Sequence, residues 1–342
     1  MFSILIPSLI AATSGTAPGE EASWSSLDRE LAMLAAHAQG NPAAPSVRIW
    51  GYLRTAVLFG DFDVNNNSVL DAGDDEVGGT RMLNARPYFE ATSGDYSAVI
   101  SLECASGTAV LYHGYAKWKC NEYFSTYFGR FKQPFLRSFM LFDNKLALIE
   151  RTAPALAVAR FDTGIMLEGK FQERVHWWAA VQNGTDGIAD EQLLSGRVAF
   201  TPIGQEVAGA EGAIAGRDEL DCTVAVAVAD EGSVSDGTSF AVDAVVNQRP
   251  WSLQAEVVDF DKDIGDRTPF SATAGWLFQP QWEGVLRYDD RDDGFNTSRI
   301  TGGVNYYVTG HDVKWQLNVG STDADTGGVD GTFVQLGLTL TI

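Results

Sequence analysis

The feature that most constrains this chain is a series of short segments in which apolar and polar residues alternate. Alternation with a period of two is typical of β-strands that present two different faces, and turn residues separate the segments. Sixteen such segments follow residue 46, and an even number suits an antiparallel sheet that closes on itself. The predicted strands are 47–59, 81–92, 96–105, 108–120, 123–131, 162–171, 175–183, 192–201, 220–229, 239–247, 251–260, 270–278, 282–289, 298–308, 312–321 and 332–342.

The connections between these segments alternate in length. Tight turns follow most even-numbered strands, whereas the connections after odd-numbered strands are mostly longer and acidic, as at 60–80 and 290–297. Short periplasmic turns that alternate with long external loops are typical of outer-membrane barrels. This alternation of connection lengths is not expected in a soluble β-sandwich. Two connections depart from the rule: 202–219 is long where a turn is expected, and 106–107 is short where a loop is expected.

The last predicted strand shows the two faces most clearly. In water, a terminal strand with such an apolar face would expose an edge that recruits other strands. A closed barrel has no edge, and its apolar row faces lipid. We therefore predict an all-β fold: a transmembrane antiparallel β-barrel of about 16 strands over residues 46–342. The apolar face holds Val334, Leu336, Leu338, Leu340 and Ile342, and the other face holds Gln335, Gly337, Thr339 and Thr341.

The residues before the barrel predict export and a short helix. An apolar run from Phe2 to Ala12, followed by small residues as far as Ala17, favours a signal peptide over residues 1–17. Leucines then recur at helical spacing between residues 25 and 38. Residues 18–45 are accordingly predicted to form a periplasmic helix and linker.

The charge of the chain excludes one class of partner. The formal net charge is -21, whereas a generic nucleic-acid-binding protein needs a basic face to neutralise phosphates. Acidic external loops carry such charge at little cost because they lie in water. Three cysteines are too few, and odd in number, for a disulfide framework, so we expect all of them to be free.

No arrangement of residues in the sequence indicates an enzyme. The histidines are scattered, and none has the spacing of a metal motif. Two alternatives to a channel stay open at this point. One is a soluble, secreted, β-rich carbohydrate-binding protein that uses its tryptophans for stacking, and the other is an outer-membrane barrel enzyme.

An ordered set of short motifs resembles the phosphate-selective porin O/P family of outer-membrane channels. The resemblance implies a sixteen-stranded barrel in the bacterial outer membrane, a homotrimer, and passive flow of small, usually anionic, inorganic or organic solutes. The chain departs from the family in ending at Ile342 rather than an aromatic residue, and in having 24 basic against 45 acidic residues. The motifs are 51–52, 129–135, 150–151, 161–165, 183–185, 197–200, 202–204, 303–307, 310–311 and 313–314.

Basic residues are predicted to line the pore and bind anions. The longest connection, 132–160, is predicted to be the third outer loop and to fold into the barrel, with an external cap as the alternative. The segment from 130 to 160 is basic within an acidic chain, and alternation places other bases on the lumen side. The alternative for these bases is that they pair with Glu103, Glu168, Glu256 and Glu283 across the barrel. The predicted pore-lining residues are Arg48, Arg54, Lys117, Arg130, Lys132, Arg137, Arg287 and Lys314.

The first outer loop has the spacing of a calcium-binding loop. Residues with oxygen-bearing side chains occupy five positions of a twelve-residue frame from 63 to 74, and a backbone carbonyl would supply a sixth ligand. The turn position holds Ser68 rather than glycine, and the last carboxylate is the short Asp74. An acidic loop without a ligand is the alternative, and no other cofactor is predicted. The predicted ligands are Asp63, Asn65, Asn67, Val69, Asp71 and Asp74.

Overall fold

The computed structural model describes residues 45–62, 76–158, 160–184, 191–207, 209–232, 236–262, 265–325 and 330–342. Within these residues every predicted strand is present, and the largest difference in the ends is at β2, which begins at Glu76. The strands are β1 Ser46–Asp61, β2 Glu76–Ser93, β3 Tyr96–Glu103, β4 Val110–Lys119, β5 Phe124–Lys132, β6 Phe161–Phe171, β7 Val175–Gln182, β8 Leu193–Ile203, β9 Asp221–Glu231, β10 Gly237–Gln248, β11 Trp251–Lys262, β12 Phe270–Gln279, β13 Trp282–Asp290, β14 Ser298–Thr309, β15 Val313–Asp323 and β16 Gly331–Thr341.

The strands form one closed antiparallel barrel. Each strand pairs with its neighbours in sequence, and β16 closes the barrel by pairing with β1, with Arg54 opposite Thr339. Hydrogen bonds between the backbones of Gly51 and Ile342 complete the seam at 2.9 and 2.8 Å. The closed barrel predicted from the alternating pattern is thus confirmed.

The two faces of β16 lie as the sequence predicted. Leu336 and Leu340 are exposed on the outside, while Gln335 and Thr339 are only 2% and 1% exposed on the inside. The same pattern covers the outside of the barrel with apolar side chains, as lipid contact requires. Among the described residues, no helix has the length and apolar character needed to cross a membrane.

Two connections occupy the lumen. The first joins β5 to β6 and is called here the inner loop, residues 133–160; it contains the short helices α1 (Arg137–Met140) and α2 (Ala153–Ala157). The second joins β8 to β9 at the opposite end of the barrel and is called the inner turn, residues 204–220. The inner turn is the connection whose length broke the predicted alternation.

Two predictions fall outside the described residues. Residues 1–44 include the predicted signal peptide and most of the predicted helix and linker, and residues 63–75 include the predicted calcium loop. Both stay predictions. The expectation that Cys104, Cys120 and Cys222 are free is confirmed.

Candidate pore constriction

The inner loop packs its apolar side chains against one side of the barrel wall. Phe135, Leu136 and Phe139 are at most 2% exposed, although they lie in a loop. They pack on wall strands whose inward-facing residues include small alanines such as Ala227 and Ala241. The larger residues of these strands face outward. The small alanines make room for the aromatic rings, and apolar burial holds the loop inside. The predicted inward fold of this loop is confirmed.

The second half of the inner loop lies close to the wall at two glycines. Leu148 and Ile149 are 1% and 3% exposed. A Cβ atom at Gly303 would lie 2.5 Å from a methyl group of Leu148, and one at Gly337 would lie 2.9 Å from a methyl group of Ile149. A side chain at either position would displace these methyl groups, so the two glycines of β14 and β16 leave room for the loop side chains.

Buried cations of the wall donate hydrogen bonds to carbonyl groups of the inner loop. Lys132 Nζ donates to the carbonyls of Phe139 at 2.7 Å and Leu141 at 2.6 Å. Because the loop has little regular structure, its buried carbonyls need donors from outside the loop. Three further wall cations supply them: Arg54 donates to Ile149, Arg287 to Glu150, and Lys314 to Leu146.

An ion-pair network joins the loop to β2. Arg86 lies 2.7 Å from both Glu103 and Asp143, and Arg151 lies 2.8 Å from Asp143. Burial by itself would raise the pKa of Asp143, but the charges of Arg151 and Arg86 outweigh it and hold this pKa well below its ordinary value. Asp143 is therefore ionised. Arg86 was not among the predicted pore residues, although it shares a strand face with Asn84 and Tyr88, which are also buried.

Between the inner loop and the wall lies a cavity of about 430 Å³. It is bounded by residues of β1, β2, β4, β5 and β6 on the wall side. Four cations and two carboxylates contribute to its lining: Arg54, Arg86, Lys132, Arg151, Asp143 and Glu150. We regard this cavity as the candidate constriction.

Two of the four cations have no carboxylate partner within ion-pair distance in the described part of the chain. Arg54 donates to Asn84 and to the carbonyl of Ile149, and Lys132 donates only to loop carbonyls. Arg86 and Arg151 share Asp143, and Glu150 pairs with Arg299 at 2.5 Å. The uncompensated charge of the cavity is thus positive and belongs to Arg54 and Lys132.

The inner turn contacts the inner loop inside the lumen. Arg137 donates to the carbonyls of Val207 at 3.1 Å and Ala210 at 2.7 Å. The Glu211 backbone N–H donates to the Lys145 carbonyl at 2.9 Å, and its carboxylate accepts from the Ala147 N–H at 2.9 Å. Arg137, which was predicted to line the pore, therefore joins the two segments instead. A charge pattern alone could not reveal this partner, because the turn lies far away in sequence.

Arg130 faces away from the lumen, contrary to the prediction. Phe128 on the same strand and Thr163 opposite Arg130 on β6 are exposed on the outside, so Arg130 lies on the outward face. The alternation ends at Phe131, after which Lys132 turns inward with the inner loop. The Nε of Arg130 donates to the Leu111 carbonyl at 3.1 Å. The prediction had followed the basic charge of the segment rather than the strand parity.

Arg48 and Lys117 lie away from the candidate constriction. The Arg48 side chain is 73% exposed at the start of β1, and its guanidinium lies 3.9 Å from Glu90. Lys117 faces the lumen and lies 3.0 Å from Glu168. Of the predicted lumen bases in the described chain, Lys117 alone forms an ion pair with one of the four glutamates proposed as partners.

The remaining glutamates have other contacts. Glu103 pairs with Arg86, Glu256 accepts hydrogen bonds from Ser138 and Thr152, and Glu283 accepts from Tyr307 and the Ala213 N–H. Across the described ranges, no group of three or more acidic, histidine or cysteine side chains has the geometry of a metal site.

Comparisons with known proteins agree with this architecture. The sequence profile of the family described as "Phosphate-selective porin O and P" matches residues 84–340. The chain is similar in structure to an anion-selective porin from Comamonas acidovorans, with 15% sequence identity, a TM-score of 0.61, and coverage of 87% of this chain and 100% of that one. A comparison with curated protein sequences finds no match.

Two other solved structures show the same fold. The outer membrane channel DcaP of Acinetobacter baumannii is 12% identical with a TM-score of 0.56, and the alignment covers 88% of this chain and 99% of that one. The trimer form of OmpT, an outer membrane protein of Vibrio cholerae, is 10% identical with a TM-score of 0.54, and the alignment covers 87% of this chain and 100% of that one.

Proposed function

We propose that the constriction of this protein favours small anions. The chain belongs to the phosphate-selective porin O and P family and is an outer-membrane porin. The observation that carries the proposal is the uncompensated positive charge of Arg54 and Lys132 in the cavity beside the inner loop. Solutes diffuse passively through the cavity, and no group of residues described here is assigned a catalytic role.

The positive charge of the cavity, rather than the negative net charge of the chain, determines the ion preference, because this preference is set by charges close to the passing ion. Charges that line a narrow passage act on an ion that has lost part of its hydration shell. Acidic residues on external loops act through water instead, and their effect is screened beyond about 8–10 Å at physiological salt. A net acidic porin can therefore prefer anions.

We further propose that the chain assembles as a homotrimer whose outward face contacts outer-membrane lipid. The outward face is apolar, with residues such as Phe240, Leu253 and Val319 about half exposed. The family also implies a trimer, and the structurally similar OmpT has a trimer form. Sedimentation of the detergent-solubilised protein, corrected for bound detergent, tests this assembly. A monomeric mass would contradict it.

The reversal potential in a KCl gradient across a planar bilayer tests the ion preference. We expect the sign of chloride preference for the native protein and a clear shift toward potassium for Arg54→Gln, which removes one uncompensated cation. Arg48→Gln makes the same charge change at an exposed position outside the cavity and should leave the potential unchanged. Potassium preference in the native protein would contradict the proposal.

A further inference from the structure

The cavity that carries the charged groups also has an apolar lining. Tyr112, Phe139, Leu146, Leu156 and Phe161 all border it. Most apolar residues of the inner loop are buried against the wall, as with Leu146 at 1% exposure. Leu156 differs, because 52% of it is exposed inside a lumen lined mainly by polar groups. Covering such an exposed apolar side chain with another apolar surface is favourable, because both surfaces are removed from water.

Two aromatic rings extend this apolar surface toward the cations. Tyr112 and Phe161 are half-buried, and their ring centroids are 4.5 Å apart. The guanidinium carbon of Arg86 lies 4.2 Å from the centroid of the Tyr112 ring. Aromatic rings and positive charge therefore adjoin each other in the same cavity, and a solute that has both a ring and a negative group would contact both.

The volume of the cavity suits such a solute better than an inorganic ion. At about 430 Å³, the cavity falls within the range of sites that bind small organic molecules, roughly 300–1,000 Å³. A hydrated inorganic anion would satisfy the cations but would leave Leu156, Tyr112 and Phe161 in contact with water. Burying a ring against these side chains would add a favourable apolar contribution to the electrostatic one.

We propose that the constriction preferentially binds and passes aromatic monocarboxylates, with the carboxylate near Arg54 and Lys132 and the ring against Tyr112, Leu156 and Phe161. This inference rests on the proposed anion preference and names the class of anion. The carboxylate would supply the negative partner that Arg54 and Lys132 lack among the described residues.

Reversal potentials under bi-ionic conditions test this inference, with sodium benzoate on one side of the bilayer and sodium acetate on the other. Acetate is smaller and diffuses faster in water, so a simple sieve would favour it. We expect the native protein to be several-fold more permeable to benzoate than to acetate. Leu156→Ser and Tyr112→Ser should each lower this ratio, and the double variant should bring it to one or below.

Leu156→Met keeps an apolar side chain at the same exposed position, so its benzoate-to-acetate ratio should exceed that of Leu156→Ser. Arg48→Gln, which lies outside the cavity, is the control and should leave the ratio unchanged. Heat-modifiable migration on a gel shows that each variant has folded. Chloride preference in KCl together with a native benzoate-to-acetate ratio of one or less would overturn this inference alone. An unchanged ratio in the double variant would also overturn it. Potassium preference in KCl would instead overturn the proposed function on which it rests.

Discussion

The inner loop and the inner turn enter the same lumen from opposite ends, but different forces hold them there. The inner loop buries large apolar residues such as Phe135, Leu136 and Phe139, and wall cations satisfy its carbonyls. The inner turn is rich in alanine and glycine, and Ala213 is its only described hydrophobic residue that is fully buried. Its hydrogen bonds reach both the wall, as from the Ala213 N–H to Glu283, and the inner loop, as from Arg137 to its carbonyls.

This difference implies that the loop is held in the lumen more firmly than the turn. Apolar burial and buried ion pairs make the loop part of the barrel core. The turn lacks such an apolar core and is held by hydrogen bonds to the loop, through Arg137, and to the wall, through Glu283 and His311. Changes in the anchors of the loop should therefore have larger effects than changes in the anchors of the turn.

Arg86→Met should give the largest effect on stability. The substitution leaves the buried carboxylates of Asp143 and Glu103 without one of their charged partners. Breaking a buried ion pair by removing one partner costs about 3 to 5 kcal/mol, so we expect a loss of that size in the free energy of unfolding. Urea titration of the protein refolded in lipid vesicles measures it. Arg48→Met is the control, and an equal loss for both variants would show that Arg86 has no special role.

Glu283→Met should give a smaller effect that is confined to the inner turn. Glu283 accepts hydrogen bonds from the Ala213 N–H and from Tyr307, both at 2.5 Å. Leaving a buried donor without an acceptor costs about 1 to 3 kcal/mol. The same urea titration should show a loss within this range, and hydrogen exchange should increase at Ala213 while the inner loop stays protected. Glu283→Gln keeps an acceptor and should behave more like the native protein. Faster exchange throughout the inner loop would contradict the firmer hold on the loop.

The sequence predicted the strands and the inner loop because their signals are local. A period of two marks each strand, and an apolar run between two strands predicts a buried loop. The partners of the bases are not local, since Lys314 reaches the Leu146 carbonyl and Arg137 reaches Val207. Charge composition therefore identified several lumen cations but could not show that most of them donate to the loop, as Arg54 and Lys132 do while they also line the cavity.

Two errors have more specific causes. Arg130 was assigned to the lumen by charge, although it shares a strand face with Phe128, which is 47% exposed on the outside. The inner turn was visible only as a connection of unexpected length, because alanine and glycine carry neither an apolar pattern nor a charge pattern. Its inward path depends on hydrogen bonds to residues distant in sequence, such as the one from the Ala213 N–H to Glu283.

The inner loop is the element that narrows the pore, and single-channel conductance of a variant lacking residues 137–153 tests this most directly. The deletion removes α1, the first residue of α2 and the chain between them, and it leaves strands β5 and β6 intact. We expect a heat-modifiable barrel with a conductance clearly above that of the native protein in the same salt solution, together with a weaker preference for chloride. Unchanged conductance in a correctly folded deletion variant would contradict the account.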